Sequence, residues 1–221
     1  MGLERFRQQS RQKWETFYFL AIWALLVIQL MYLQAEYNEL HQLHPLVLMY
    51  VRVARFLVHI YGPPFFITEL MLLLIAYSRD VQSRLARRIY DFYGVYYIIR
   101  MLIQFTGLNI LVFDDTSSRF LLITQLIFFL PYSLLIWGWI YWRLDQLGRA
   151  HGRALFRLDH ESEHPRVIDY FVASFSSVFS ASISNIKGCL ARSRVLILLH
   201  GVMIYDLMGL TLSRAVALVQ R

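Results

Sequence analysis

The sequence predicts an all-α integral membrane protein, and three observations support this fold class. Of the 221 residues, 57% are hydrophobic and only 17% are charged, and the mean hydropathy is +0.45. An ordinary soluble domain carries about 25% charged residues, so a soluble core of this size could not bury so much apolar surface. Several apolar runs also approach the roughly 20 residues that a helix needs to cross a bilayer. We therefore expect a multi-pass protein of the cell membrane.

The N-terminus is basic, with four cations among its first 14 residues: Arg5, Arg7, Arg11 and Lys13. The apolar run that follows lacks a small-residue cleavage site, which favours a retained membrane helix over a signal peptide. Positive charges flank the cytoplasmic ends of membrane helices. Residues 1–14 are therefore predicted to form a cytoplasmic N-terminus.

Six apolar runs are predicted to cross the membrane. They are Phe17–Gln34, Leu46–Tyr61, Phe65–Ser78, Ile89–Phe113, Phe120–Trp142 and Val195–Val219. The run Leu46–Tyr61 contains two arginines and can instead lie along the interface. If all six runs cross the membrane, the basic segment Arg79–Arg88 lies outside, which conflicts with the preference for positive charge on the cytoplasmic side. If the second run lies along the interface instead, Arg79–Arg88 lies on the cytoplasmic side. Pro131 predicts a kink in the fifth run.

The remaining composition excludes several classes of protein. Although the net charge is +7, the arginines cluster at the ends of apolar runs, which favours lipid headgroups over nucleic acid as the partner. The single cysteine, Cys189, excludes an intrachain disulfide and a cysteine-rich metal site. A haem or redox enzyme is the weakest alternative, because only His59 and His200 fall in apolar runs and a bis-histidine site needs facing ligands. We expect no enzyme activity, no catalytic residues, no cofactor and no metal.

A short serine-rich segment begins at Asp169 and ends at Ile186. It reads D-Y-F-V-A-S-F-S-S-V-F-S-A-S-I-S-N-I. The apolar part is too short to cross a bilayer, and hydroxyl-rich backbone at membrane depth is tolerated where it is buried in protein or lines a water-filled path. Asp169 suits the start of a helix, where a carboxylate satisfies free amides and complements the dipole. Close packing of small residues against neighbouring helices is the alternative interpretation.

The same segment aligns without a gap with the pattern D-x-x-Y-F-S-x-x-T-x-T-T-V-G-Y-G-D-I. It thus resembles the pore module of potassium channels in the voltage-gated-like ion channel superfamily. The positions that fall on the selectivity filter and line the pore are Ser180, Ala181, Ser182, Ile183, Ser184 and Asn185. The resemblance implies a homotetramer with a sensor-like four-helix domain at 15–117 and a pore domain at 118–221. Within the latter it places the pore helix and filter at 167–186 and the inner helix at 195–219.

The filter positions depart from the family pattern. Ser182 and Ser184 replace both glycines, Ile183 replaces the aromatic residue and Asn185 replaces the outer acid. A potassium filter depends on a ladder of backbone carbonyls, and its glycines adopt conformations that a Cβ disfavours. We therefore expect a wider opening with weak selectivity among small monovalent cations.

Two charges near the predicted pore have opposite effects. Lys187 would form a positive ring at the mouth, which favours anions, whereas Asp206 in the inner helix would face the cavity and attract cations. Asp206 is the deeper and less screened of the two, so we expect cations to pass. Gly201 and Gly209 are candidates for a hinge or for close packing. An anion-permeable pore and a non-conducting or regulatory subunit stay open as alternatives.

Voltage sensing is not expected. A sensor helix needs several arginines at every third position, and the fourth apolar run contains only Arg100. In the second run Arg52 and Arg55 have that spacing. Each charge that crosses the field contributes about 2.3 kcal/mol per 100 mV, so two charges give only a weak response.

Overall fold

The computed structural model describes residues 2–36, 45, 49–50, 52–53, 63–78, 84–112, 119–159, 165–180 and 185–219. These residues form six helices and two short strands. In chain order they are α1 (Gly2–Glu36), α2 (Pro63–Ser78), α3 (Arg84–Val112), α4 (Arg119–Ala150), β1 (Phe156–Leu158), α5 (Val167–Ser180), β2 (Ile186–Gly188) and α6 (Ala191–Val219). The predicted helical fold class is confirmed. Two helical stretches, Ile123–Ala150 and Ala191–Leu210, are long and apolar enough to cross a membrane.

The chain forms two compact units. Unit 1 comprises residues 1–133 and unit 2 comprises residues 134–221, so the division falls inside α4, just after Pro131. The helix continues through this proline from Arg119 to Ala150. The domain boundary predicted from the sequence, at residues 117/118, lies before α4 begins.

Within unit 1, α1 and α3 run in the same direction. Near the start of α3, the Arg87 guanidinium donates at 2.8 Å to the carboxylate of Glu15, which lies in the first half of α1. Farther along both, Gln104 Nε2 donates to Gln29 Oε1 at 2.9 Å. Two helices are parallel when residues farther along one helix contact residues farther along the other. The basic start of α3 therefore lies at the same end of unit 1 as the start of α1.

Helix α2 runs opposite to both. Its Glu69 carboxylate accepts from the Tyr97 hydroxyl, whereas its earlier residue Phe66 lies under the Arg100 guanidinium, 6.0 Å from the ring centroid. Five residues separate the end of α2 from the start of α3, which is typical of a helical hairpin. If α1 and α2 both cross a membrane, their opposite directions require an even number of crossings between them.

This corrects the count of six crossings. The run Leu46–Tyr61 lies largely outside the described residues, but a single crossing there would make α1 and α2 parallel. The six-crossing arrangement is thus not supported, and the reason is that hydropathy does not report helix direction. The alternative in which Arg79–Arg88 shares a side with the N-terminus agrees with the parallel pair of α1 and α3.

Unit 1 buries several polar side chains among its apolar and aromatic core residues and exposes many large apolar side chains. Polar or charged residues with less than a tenth of their surface exposed include Glu15, Thr16, Gln29, Glu69 and Gln125. Large apolar side chains are exposed on every helix of the unit, among them Phe17, Met31, Ile67, Met71, Phe92, Val95, Ile99 and Ile127. Water would favour the reverse distribution, whereas helices bundled in lipid bury their polar groups against one another.

Candidate functional site

In unit 2, α5 and α6 both run back along the second half of α4. Tyr170 at the start of α5 bonds to Asp145, and Ser174 one turn later donates to the Leu134 carbonyl at 2.8 Å. Trp137 Nε1 on α4 donates to Met203 Sδ on α6 at 3.4 Å. One long helix, one short helix and a second long helix therefore follow each other in the order that the sequence analysis predicts.

Asp145 is the polar anchor of this unit. Its side chain is fully buried near the end of α4. One carboxylate oxygen accepts the backbone N–H groups of Leu155 at 2.7 Å and Phe156 at 2.9 Å. The other accepts the Tyr170 hydroxyl and Arg149 Nε, each at 2.5 Å. A single buried charge thus fixes the turn after α4, the start of β1 and the start of α5.

Tyr170 is able to donate to this anchor because it stays protonated. Burial raises the pKa of its hydroxyl well above the ordinary range, and the hydrogen bond to Asp145 and the charge of that carboxylate raise it further. A phenol with a raised pKa is a stable donor. The Tyr170 hydroxyl on α5 is therefore the donor in its bond to Asp145 on α4.

A two-stranded antiparallel sheet joins the segment before α5 to the segment after it. Phe156, Arg157 and Leu158 lie opposite Gly188, Lys187 and Ile186 respectively. The pairing extends beyond the strands, since Cys189 N donates to the Leu155 carbonyl at 3.0 Å and Asp159 N donates to the Asn185 carbonyl at 3.2 Å. The chain that leaves α5 therefore returns to the level at which α5 began.

Asp169 lies in the first turn of α5, as predicted, but the helix begins two residues earlier at Val167. Its Oδ2 atom accepts the backbone N–H of Arg166 at 2.6 Å. A carboxylate that reaches back from the third helical residue to the residue before the helix forms half of a capping box. Asp169 therefore caps the start of α5, and its assignment to a pore helix stays a prediction.

The predicted filter lies only partly within the described residues. Ser180 is the last residue of α5, and the positions of Ala181, Ser182, Ile183 and Ser184 fall outside the description. Asn185 is exposed in the turn before β2, and its Nδ2 donates to Ser176 Oγ at 2.9 Å. Asn185 therefore lies beside Ser176 of α5. Pore lining by these residues stays a prediction.

The predicted mouth and cavity residues lie on different elements. Lys187 is exposed in β2, and its Nζ is 2.9 Å from Asp159 Oδ1. Asp206 and Gly201 are half-buried on α6, which is one uninterrupted helix. Gly209 is exposed, and a Cβ built there would meet no atom within 4 Å. Gly209 is thus not a close-packing site within the described part of the protomer.

His200 is a buried residue of α6. Its Nδ1 is 2.9 Å from the Tyr141 hydroxyl, and its ring stacks on Trp137 with centroids 4.8 Å apart. Its Nε2 is buried and has no hydrogen-bond partner among the described residues. No group of three or more potential metal ligands occurs in the described part of the chain.

Sequence reasoning missed Asp145 and the sheet. The predicted fifth run ends at Trp142, whereas α4 continues for another eight residues to Ala150 and Asp145 within them is fully buried. The sequence feature that could have indicated Asp145 is its position four residues before Arg149 at the end of an apolar helix. No protein-family model, no curated protein and no solved structure matches this chain.

Proposed function

We propose that the chain is a subunit of a homotetrameric channel in the cell membrane that passes small monovalent cations with weak selectivity. In this proposal α1, α2, α3, α4 and α6 cross the bilayer. Helix α5 enters it partway, and the loop after α5 faces the central axis. Membrane lipids surround the outer faces of the helices.

The observation that carries the proposal is the geometry of α5. Its 14 residues extend about 21 Å, short of the roughly 30 Å of the hydrocarbon core. The helix nonetheless lies along α4, its Ser174 is buried, and the chain returns beside it through the bond between Asn185 and Ser176. A short helix packed along a longer one, with the chain after it close beside it again, is the arrangement that a re-entrant pore requires.

Placement in lipid is supported by the distribution of polarity in both units. Unit 1 has exposed apolar side chains around buried glutamines and carboxylates. In unit 2, one side of α6 exposes an apolar stripe with the period of a packed helix. The members of the stripe are Val195, Leu198, Leu199, Val202 and Tyr205. Lipid or a neighbouring subunit would remove this surface from water.

The charges favour cations over anions. Lys187 is the residue that would make the mouth positive, but Asp159 lies 2.9 Å from it and offsets its charge. Asp206 is half-buried on α6, where salt screens the charge of its carboxylate less than it would at the surface. A ring of four Asp206 carboxylates would raise the local cation concentration. The anion-permeable alternative requires Lys187 to dominate, and its pairing with Asp159 argues against that.

Single-channel recording of the purified protein in planar bilayers tests the proposal. For Asp206→Asn, we expect conductance in dilute KCl to fall about two- to tenfold, because the ring of charge near the ion path is lost. Asp91→Asn is the matched control, because it removes the same charge from unit 1, where Asp91 pairs with Arg87. The control should conduct like the original chain.

Three results would contradict the cation channel. These are equal conductance in both variants, a reversal potential that follows chloride in asymmetric KCl, and a monomer in mild detergent. A tetramer that never conducts would favour the second candidate, a non-conducting subunit. The loss of both filter glycines, at Ser182 and Ser184, is the observation that favours this second candidate.

A further inference from the structure

Unit 1 buries two glutamates whose surroundings differ in charge. Glu15 on α1 and Glu69 on α2 each expose at most 1% of their surface. Both carboxylate oxygens of Glu15 accept hydrogen bonds from the Arg87 guanidinium at 2.8 Å, so its charge is compensated. No cationic side chain lies within ion-pair distance of Glu69 in the described part of the chain. The two residues therefore differ in whether a cation compensates the buried acid.

Only one oxygen of Glu69 has a hydrogen-bond partner among the described residues. Its Oε1 accepts from the Tyr97 hydroxyl, whereas its Oε2 is buried without any partner. An ionised carboxylate has about four lone-pair sites for donors, and here one is filled. Burying a charge that is neither paired nor fully hydrogen-bonded costs far more than burying the neutral form, so such a group takes up a proton instead.

Arg100 on α3 is the cation whose charge acts on Glu69, but its guanidinium is engaged elsewhere. Its Nη1 donates to the Tyr96 hydroxyl at 3.2 Å, and the group lies over the Phe66 ring, 6.0 Å from the centroid. The field of Arg100 lowers the cost of ionising Glu69. It does not remove that cost, because the guanidinium donates no hydrogen bond to either carboxylate oxygen among the described contacts.

The other titratable groups that face Glu69 are phenols. They are Tyr93 and Tyr97 on α3 and Tyr132 in the first part of α4. In the described part of α1 no titratable group interacts with Glu69, and Phe19 of that helix packs against the Tyr97 ring with centroids 5.6 Å apart. Phenols that keep their protons bring no positive charge to the carboxylate.

We propose that Glu69 is a proton-binding site, and that the folded protein holds one proton on this carboxyl group at neutral pH. The proton comes from water during folding and forms an O–H bond at Oε2, while Oε1 stays the acceptor for Tyr97. A metal ion would need several oxygen ligands around it. No group of three or more potential metal ligands occurs in the described residues, whereas a proton needs only the carboxylate itself.

The bound proton makes the stability of the protein depend on pH. An unfolded chain ionises its glutamates above about pH 4.3, so unfolding at neutral pH releases the proton from Glu69. The stabilisation by the bound proton is complete below that pH and is lost as the pH rises. Between about pH 5 and pH 7 this site alone should raise the equilibrium constant of unfolding about tenfold per pH unit.

Infrared spectroscopy of the purified full-length protein at neutral pH detects the proton directly. A protonated carboxyl group has a carbonyl band at a higher frequency than a carboxylate, and the band shifts in heavy water. We expect Glu69→Gln to lose this band. Glu15→Gln is the matched control and should retain it, since Glu15 is ionised in its pair with Arg87, which also bonds to Asp91.

Tyr97→Phe supplies a second measurement that keeps the Glu69 carboxyl group in place. Removing the donor to Oε1 should move the carbonyl band of a protonated Glu69 to a higher frequency. This variant tests the assignment even where Glu69→Gln does not fold. A band that stays in place would show that the proton lies on another carboxyl group and would overturn the proposal.

Equilibrium unfolding in detergent from pH 5 to pH 7 measures the linkage. The tenfold change per pH unit should be present in the original chain and in Glu15→Gln, in excess of the slope found for Glu69→Gln. Equal slopes in all three proteins would overturn the proposal, as would a carbonyl band that Glu69→Gln retains. A rise in Tm with KCl that only Glu69→Gln lacks would assign the site to a metal ion instead. None of these measurements depends on ion conduction, so the proposed channel and the proton site can fail separately.

Discussion

The two units stabilise buried polar groups in different ways. Unit 1 spreads its buried polar contacts along its helices, and several of them join residues far apart in the sequence, as in the pair Gln29 and Gln125. Unit 2 concentrates four donors on one carboxylate, Asp145, and three of them come from the following 11 residues. Distributed bonds fix the register between helices. A concentrated charge fixes the path of a loop.

The largest effect is expected for Asp145→Ala. Two backbone N–H groups and the Tyr170 hydroxyl would lose their acceptor, so the free energy of unfolding should fall by about 3–5 kcal/mol. Chemical denaturation followed by tryptophan fluorescence measures the loss. The matched control, Asp159→Ala, removes an exposed carboxylate directly after β1 and should cost about 0–1 kcal/mol. Equal losses would contradict the role of Asp145 as the anchor.

A smaller loss is expected for Tyr97→Phe in unit 1. The Tyr97 hydroxyl donates to the Glu69 carboxylate, whose other oxygen is buried without a hydrogen-bond partner among the described residues. Removing the donor should lower the free energy of unfolding by about 1–3 kcal/mol. Tyr77→Phe makes the same chemical change at an exposed position of α2 and should lie within about 0.5 kcal/mol of the original chain. If Tyr77→Phe costs as much, the buried bond is not the cause.

The smallest effect is expected for the glutamines. Gln29 Nε2 donates to Gln125 Oε1 at 2.8 Å, and both side chains are buried. A double-mutant cycle with Gln29→Leu and Gln125→Leu should give a coupling of about 0.6 kcal/mol, the average for polar bonds between membrane helices. Thermal unfolding in detergent supplies the four values. A coupling above about 2 kcal/mol would place a unit 1 bond in the range of the Asp145 anchor and remove the contrast between the units.

The sequence predicts single helices well in this chain. The run Phe65–Ser78 corresponds to α2, which begins at Pro63, because the Gly-Pro-Pro break and the apolar run give clear ends. The predicted short helix at Asp169 corresponds to α5, since a serine-rich segment of that length can neither cross nor dissolve in lipid. Hydropathy measures one helix at a time, and these features belong to single helices.

Relations between segments were not predictable in the same way. The parallel arrangement of α1 and α3 depends on which helices are neighbours, and the periodicity of one helix does not encode its partner. Strands of three residues, such as β1, are too short to give an alternating pattern. Asp145 and Arg149 look like an exposed ion pair at a helix end until the donors from Leu155 and Phe156 are in place. The role of Asp145 as the anchor could therefore be recognised only in the structure.

The short sequence separations around Asp145 bear on the order in which the protein is made. Its donors lie 4, 10, 11 and 25 residues downstream. Closing such short loops costs little entropy, and local contacts form quickly. The turn after α4 can therefore close around Asp145 while the ribosome is still adding the residues of α6, so that the last helix inserts against an end that is already built.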